Sequence, residues 1–383
     1  MGIWPTLTLR TRRAGAALLG ATLLTGCSLG ADSATPATPP PTVFASPSSE
    51  PAPTPTVTPT PSTTPTPLAV PTSPLTGEEV AIAQPVLAVK LDNTRNAQPH
   101  AGLIDADVVY IEEVEYGITR LAAVFASTVP ARIGPVRSAR ITDIDLLEQY
   151  GSPAFAFSGV QMKMWPLIAE STLIDISPNK GGEGYSRDTS RRAPYNYFLD
   201  GAVGLERAPD ASVDTSIGFT FAETPPPGGI PGLKALMEWS YASARFVFDS
   251  ETGLYRVFLN GERARAEENE FGQNAATVII QNVVQKPSAF TDRGGGNTPH
   301  AQTIGSGTAI VLRDGFAYDV TWDRPDVESG TTFTMADGTS MPFKPGQQWV
   351  VLLDTKRPAS IRPKPLTALE QLAARTSAAS FSP

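Results

Sequence analysis

Between Val86 and Leu353 the chain alternates short apolar runs with turn residues, and the period of those runs predicts a strand-rich fold. Val86–Leu91 (VLAVKL) reads as a buried strand closed by Asp92-Asn93. Asp107–Tyr116 and Ile118–Ala126 are rich in β-branched and aromatic residues, which predicts a hairpin around Gly117. A turn centred on Tyr116-Gly117 sets Glu113 opposite Arg120, a cross-strand pair worth about 0.2–1 kcal/mol. Ile141, Ile144, Leu147 and Gln149-Tyr150 recur at helical spacing, with Ser138 as N-cap and Gly151 as the stop. Ala154–Ser158 reads as a short strand and Met162–Ile168 as helical despite Pro166. A long polar loop follows from Ser177 to Asn196.

The run Thr224-Pro225-Pro226-Pro227-Gly228-Gly229, then Pro231-Gly232, marks a boundary at residues 224–232. Beyond it the period becomes two. Ala244–Phe248 and Tyr255–Leu259 form one predicted hairpin, and Thr277–Val284 a strand. Thr308–Leu312 and Phe316–Trp322 flank Asp314-Gly315, while Thr331–Met335 and Trp349–Leu353 flank Asp337-Gly338. The expected class is α+β, with a mixed α/β part over residues 75–223 and a mainly antiparallel β part over 233–355. Residues 356–383 are then a tail.

The first 74 residues have a different character. Arg10, Arg12 and Arg13 precede an uncharged run from Ala14 to Leu24, and Leu24-Thr25-Gly26-Cys27 follows. A basic stretch, a short apolar stretch and small residues make a secretory signal over residues 1–26. The apolar run is too short to span a bilayer, which takes about 20 residues. Cys27 sits where lipoproteins of bacteria are cleaved and acylated, so the sequence resembles a lipobox. The expected location is the outer face of the cytoplasmic membrane, held there by lipid on Cys27. From Ala31 to Pro74 the chain is almost entirely Pro, Thr, Ser and Ala, a composition that cannot bury enough apolar surface to order itself. Extended, such a tether reaches ~140 Å.

Composition removes several function classes. A net charge of −8 gives nucleic acid no reason to bind. One cysteine in 383 residues makes no internal disulfide and no cysteine zinc site. His100 and His300 both follow proline in polar segments and lack a third ligand, so neither a metal nor a cofactor is expected.

Gly134-Pro135-Val136-Arg137-Ser138-Ala139-Arg140 is the strongest candidate site. A helix start offers free N–H groups and a favourable dipole to an anion, and arginine forks match carboxylate or phosphate oxygens. The Ser177–Asn196 loop adds Lys180, Arg187, Arg191 and Arg192 among Tyr185, Tyr195 and Tyr197. The expected site is Arg137, Ser138, Arg140, Arg187, Arg191, Arg192 and Tyr195 on one surface, binding an anionic envelope ligand or a protein partner. The alternative is that the arginines pair with Asp105, Asp107, Glu112, Glu113 and Glu115 in a structural network. An enzymatic reading rests on Glu113 and Glu115 as paired carboxylates for glycan cleavage or transfer. Ser177-Pro178-Asn179-Lys180 has Ser-x-x-Lys spacing but lacks a companion Lys-Thr-Gly.

Several of these segments together resemble the YerB-like lipoproteins. They are Lys90-Leu91-Asp92-Asn93, Ala106-Asp107-Val108-Val109-Tyr110, Gly117-Ile118-Thr119-Arg120, Gly134–Arg140, Arg191-Arg192-Ala193-Pro194 and Asn282-Val283-Val284. The resemblance spans roughly Thr76 to Leu353. It implies paired N- and C-terminal domains of unknown function and a layered β-β-α sandwich; it implies no activity. Tyr195 stands where the family often has histidine, and Phe157–Gln161 is poorer in glycine than the family pattern.

Replacing Cys27 with Ser should abolish labelling by a fatty-acid probe and move the protein out of the membrane fraction. Continued labelling of that variant would exclude Cys27 as the acylated residue.

Overall fold

β1 (Leu87–Asp92) is buried at every position, so both of its faces must be covered. The structure, a computed structural model, describes residues 71–363 apart from residues 81 and 214. The signal peptide, Cys27, the tether as far as residue 70 and the tail beyond residue 363 lie outside the described residues. Thr72 already bridges Glu79, and Ser73 is buried, so the fold starts a few residues before the expected Leu75.

β2 (Val108–Glu113) and β3 (Thr119–Phe125) form the expected hairpin, with β1 antiparallel on the far side of β3. After the segment Ile133–Arg140 come α1 (Ile141–Leu147), β4 (Ala154–Ala156), α2 (Trp165–Glu170) and β5 (Ile174–Asp175). Pro166 sits in the first turn of α2, where a missing N–H costs no hydrogen bond. β6 (Tyr185–Arg187), inside the segment read as loop, pairs with β7 (Tyr197–Leu199) just beyond it, and α3 (Gly201–Glu206) follows.

The second part begins with β8 (Lys234–Glu238), β9 (Ser243–Asp249) and β10 (Leu254–Leu259), the spine of a six-stranded antiparallel sheet. β11 (Thr277–Thr291) is twice as long as expected, because its far half pairs with β12 (Asn297–Gln302). β13 (Gly305–Arg313), β14 (Phe316–Arg324) and β15 (Thr332–Thr334) continue antiparallel. β16 (Gln348–Asp354) then inserts between β11 and β2 and runs parallel to both, with Val108 opposite Gln348 and Ile111 opposite Val351. One mixed sheet of twelve strands results, its main path β15-β14-β13-β11-β16-β2-β3-β1-β4-β5. The expected tail also joins the fold: β17 (Ser360–Arg362) adds to the six-stranded sheet beside β8.

The core divides by strand alternation. Leu87, Val89, Ile111, Leu121 and Val351 cluster with Phe246, Tyr255 and Val257 of the smaller sheet. Ala88, Tyr110, Val124 and Leu352 cluster with Ile144 and Leu147 of α1.

The β2–β3 turn corrects one expectation. Glu112, not Glu113, lies opposite Arg120, and Glu113 faces Thr119. Val114 and Ile118 close a wider turn by a 2.8 Å backbone hydrogen bond, with Tyr116 and Gly117 both at left-handed φ (62° and 71°). A slip of one residue moves a side chain to the other face of the sheet. Glu112 therefore faces inward beside Lys90.

Trp349 of β16 is fully buried and meets Phe246 edge-on at 5.9 Å, tying the large sheet to the small one. Its Nε1 donates to Gln347 Oε1 at 2.7 Å, and Gln347 Nε2 donates to the carbonyls of Leu103 and Ala106 at 2.8 Å. Trp349→Ala should lower stability by about 3–5 kcal/mol. In urea, fluorescence and far-ultraviolet circular dichroism should shift together, whereas two separate transitions would mean that the two parts unfold independently.

Candidate functional site

β1, β2, β4, β5, β11 and β16 all run in one direction, so their carboxyl ends share one edge of the large sheet. Ligands of open α/β sheets gather at that edge. Here it collects charge: Asp92 ends β1, Glu112 and Glu113 end β2, and Arg120 lies at the start of the antiparallel β3. The Ile133–Arg140 segment runs along it, where Arg137 N–H donates to the Lys90 carbonyl at 2.8 Å.

Lys90 interrupts an apolar run and is completely buried, with Nζ 2.6 Å from both Glu112 Oε1 and Asp143 Oδ1. A lysine buried this way requires such partners. Burial, and then Asp143 beside it, push the Glu112 carboxyl up to about 8 against the pull of Lys90. Arg137 Nε lies 2.8 Å from Asp92 Oδ2. Arg140 reaches both oxygens of Glu115, at 2.7 and 2.8 Å, and Thr298 donates to the same carboxylate at 2.5 Å. Burial and the neighbouring Arg140 and Arg137 draw the Arg120 guanidinium down to about 10; its Nη1 donates to the Ser138 carbonyl at 3.2 Å. Four cations (Lys90, Arg120, Arg137, Arg140) thus face four acidic side chains (Asp92, Glu112, Glu115, Asp143), of which Glu112 keeps its proton up to about pH 8.

The expected helix-start anion site is not built. Arg140, rather than Ser138, is the N-cap of α1, and Asp143 Oδ2 accepts its N–H at 2.6 Å. A carboxylate of the chain thus already occupies the start of this seven-residue helix, as a helix dipole favours. Ser138 serves through its carbonyl, which accepts from Arg120 and Arg140.

Glu113 and Glu115 each hold a guanidinium partner. Arg357 Nη2 donates to Glu113 Oε1 at 3.1 Å, and burial still pushes the Glu113 carboxyl above its usual range. Burial works on Glu115 in the same direction, but Arg140 and Thr298 outweigh it and hold that carboxyl low.

The remaining expected residues lie in two other groups. Arg187 stacks over Tyr197 at 4.6 Å and donates to Asn196 Oδ1 at 3.0 Å. Arg191, Arg192 and Tyr195 line a cavity of about 500 Å³ with Asn96 and Gln98. Arg191 is fixed there by the carbonyls of Ala97 (2.6 Å) and Pro99 (3.0 Å) and by Glu267 (3.0 Å). Arg192 is exposed and has no acidic partner within 4 Å among the described residues. Gln98 Oε1 accepts from Arg265 N–H at 2.8 Å, and its buried Nε2 has no partner among the described residues. Asn96 and Gln98 carried no motif in the sequence. Lys90 did carry a signal, since an ionisable residue inside a buried apolar run demands a partner.

His100 is fully buried with Nε2 2.7 Å from the Asp92 carbonyl, and burial lowers its pKa. His300 Nε2 lies 2.8 Å from Asp145. Among the described residues no group of three or more His, Cys, Asp and Glu side chains could hold a metal ion.

The fold is mostly strands with few helices, in two sequence-adjacent parts that share one large mixed sheet. Residues 72–214 match the family described as "Protein of unknown function (DUF3048) N-terminal domain", and residues 236–350 match its C-terminal domain. Together these cover more than half of the sequence, and the chain belongs to the DUF3048 family. "Putative lipoprotein YerB" of Bacillus subtilis (strain 168) is 25% identical over 310 residues, which are 76% of this chain and 88% of that protein. The crystal structure of YerB from Bacillus subtilis matches with a TM-score of 0.64 at 18% identity, over 76% of this chain and 99% of that one.

Glu112 gives a pH test. Its folded pKa lies above that of an unfolded glutamate, so the native state keeps a proton that the unfolded chain releases. Stability should therefore be full below about pH 4.5 and fall as pH rises towards 8. Glu112→Gln should flatten that slope in urea melts at pH 5 to 8. An unchanged slope would assign it to another group.

Proposed function

We propose that this is an exported lipoprotein, held through Cys27 on the outer face of the cytoplasmic membrane, whose folded body binds an anionic envelope ligand without transforming it. The observation that carries the reading is the composition of the 500 Å³ cavity. Arg192, the unpartnered Gln98 Nε2 and the fixed Arg191 offer donors, and no carboxylate lines the wall. A bound oxyanion would satisfy Gln98 and neutralise Arg192, a charge-assisted contact that a neutral ligand cannot make. Tyr195 adds a flat wall beside them. In this reading Arg137, Ser138 and Arg140 position the sheet edge and do not touch the ligand. Catalysis by Glu113 and Glu115 has less support, because each is committed to a guanidinium.

We further infer that the body is layered as six-stranded sheet, twelve-stranded sheet and helices. The division of the core into two clusters, one holding the small sheet and the other α1, supports that order.

Titration of the full-length chain with inorganic phosphate by calorimetry tests the site. Arg192→Ala should weaken binding roughly 10- to 100-fold, on the scale of one hydrogen bond to a charged group. Arg192→Lys should fall between, since it keeps the charge and loses the fork. Equal affinity in all three proteins, or no saturable binding, would remove this function from the cavity.

A further inference from the structure

A second cavity lies where the residues after β1, the β2–β3 turn and the β8–β9 hairpin meet. Its volume is about 380 Å³; Asn93, Thr94 and Thr119 line one side, and Trp239, Tyr241 and Asn260 the other. The two walls come from the two family domains. They are locked together at the hairpin tip, where Tyr241 N–H donates to the Gly117 carbonyl at 3.0 Å. Gly117 has φ +71°, and a Cβ there would come within 2.9 Å of Ser240, so the tip packs flush only on glycine.

Three polar atoms of residues in this wall are buried with no hydrogen-bond partner among the described residues: Asn93 Oδ1, Thr94 Oγ1 and Trp239 Nε1. Asn93 is 2% exposed and Trp239 6%. Buried polar groups are nearly always paired, so unpartnered ones beside a cavity mark a place where a bound molecule completes the pairing. Asn93 is oriented, because its Nδ2 donates to Thr119 Oγ1 at 2.7 Å, leaving Oδ1 as a fixed acceptor. Trp239 Nε1 can only donate, and the Thr94 hydroxyl does both. Tyr241 is 77% exposed and presents an unused aromatic ring at the mouth. The two charged groups in the wall, Arg95 and Glu238, are of opposite sign.

This wall differs from the anion cavity, which offers donors and positive charge. A partner here must both donate and accept, carry no net charge and cover an aromatic ring with an apolar face. We propose that the cavity is a saccharide subsite for a short neutral oligosaccharide. Sugar hydroxyls donate to Asn93 Oδ1 and accept from Trp239 Nε1, and the C–H face of a ring lies on Tyr241. The two cavities have no lining residue in common, so this proposal stands independently of the anion site.

The test is titration of the full-length chain with chitotriose and maltotriose, followed by calorimetry and by the NMR signal of the Trp239 indole N–H. Saturable binding of either sugar with a shift of that signal is the expected result. Tyr241→Ala, at an exposed position, should weaken it at least tenfold while phosphate binding stays unchanged. Trp239→Phe should weaken it through loss of the donor, with folding checked by circular dichroism. Arg192→Ala should bind sugar as the parent does. The proposal is overturned if neither sugar shifts the indole signal, if Tyr241→Ala binds as well as the parent, or if phosphate alone moves that signal.

Discussion

Everything in this fold hangs on the parallel pairing of β16 with β2. Four residue pairs, Val108–Gln348 to Ile111–Val351, set a strand from the far end of the chain in the middle of the large sheet. That placement buries Trp349 against the smaller sheet and lets Gln347 hold the Leu103–Ala106 turn. It also aligns the carboxyl ends of strands from both parts along one edge. The hairpin of the second part can then rest on the β2–β3 turn of the first, and the cavity between them exists because of it.

The charge at that edge follows from burial. Lys90 faces the helical side of the sheet, where water cannot reach it, so Glu112 and Asp143 must stand within hydrogen-bond distance. Asp143 is then engaged on both oxygens, by Lys90 and by the backbone of Arg140. Arg137 and Arg140 have carboxylates of their own in Asp92 and Glu115. A cation already matched inside the protein has little charge to offer a ligand. Arg192 differs from them in having no acidic partner within 4 Å among the described residues.

Local elements were legible from residue pattern alone, because a strand of period two or a helix start is written in consecutive residues. The β2–β3 hairpin, α1, and the β9–β10 and β13–β14 hairpins lie close to where their patterns place them. What escaped was anything set by distant partners. The true register of Glu112 depends on a turn one residue wider than its glycine suggested. The cap of α1 depends on Asp143 outcompeting Ser138 for the helix start. The partners of Glu113 and Arg191, at Arg357 and Glu267, lie 244 and 76 residues away. Such pairs leave no mark in a window of ten residues. Gln98 and Trp239 were invisible for the same reason: their interest lies in the partners they lack.

The central position of β16 also orders events in time. As the chain emerges, β1, β2, β3 and β4 can assemble early, but the open edge of β2 waits until residue 348 appears. An unpaired inner strand that apolar is a template for wrong partners, including the same strand of a neighbouring molecule. Contacts closed over some 240 residues also make assembly slow. The architecture therefore favours release of the whole body at once over piecemeal folding, and it leaves the first family domain poorly suited to life without the second.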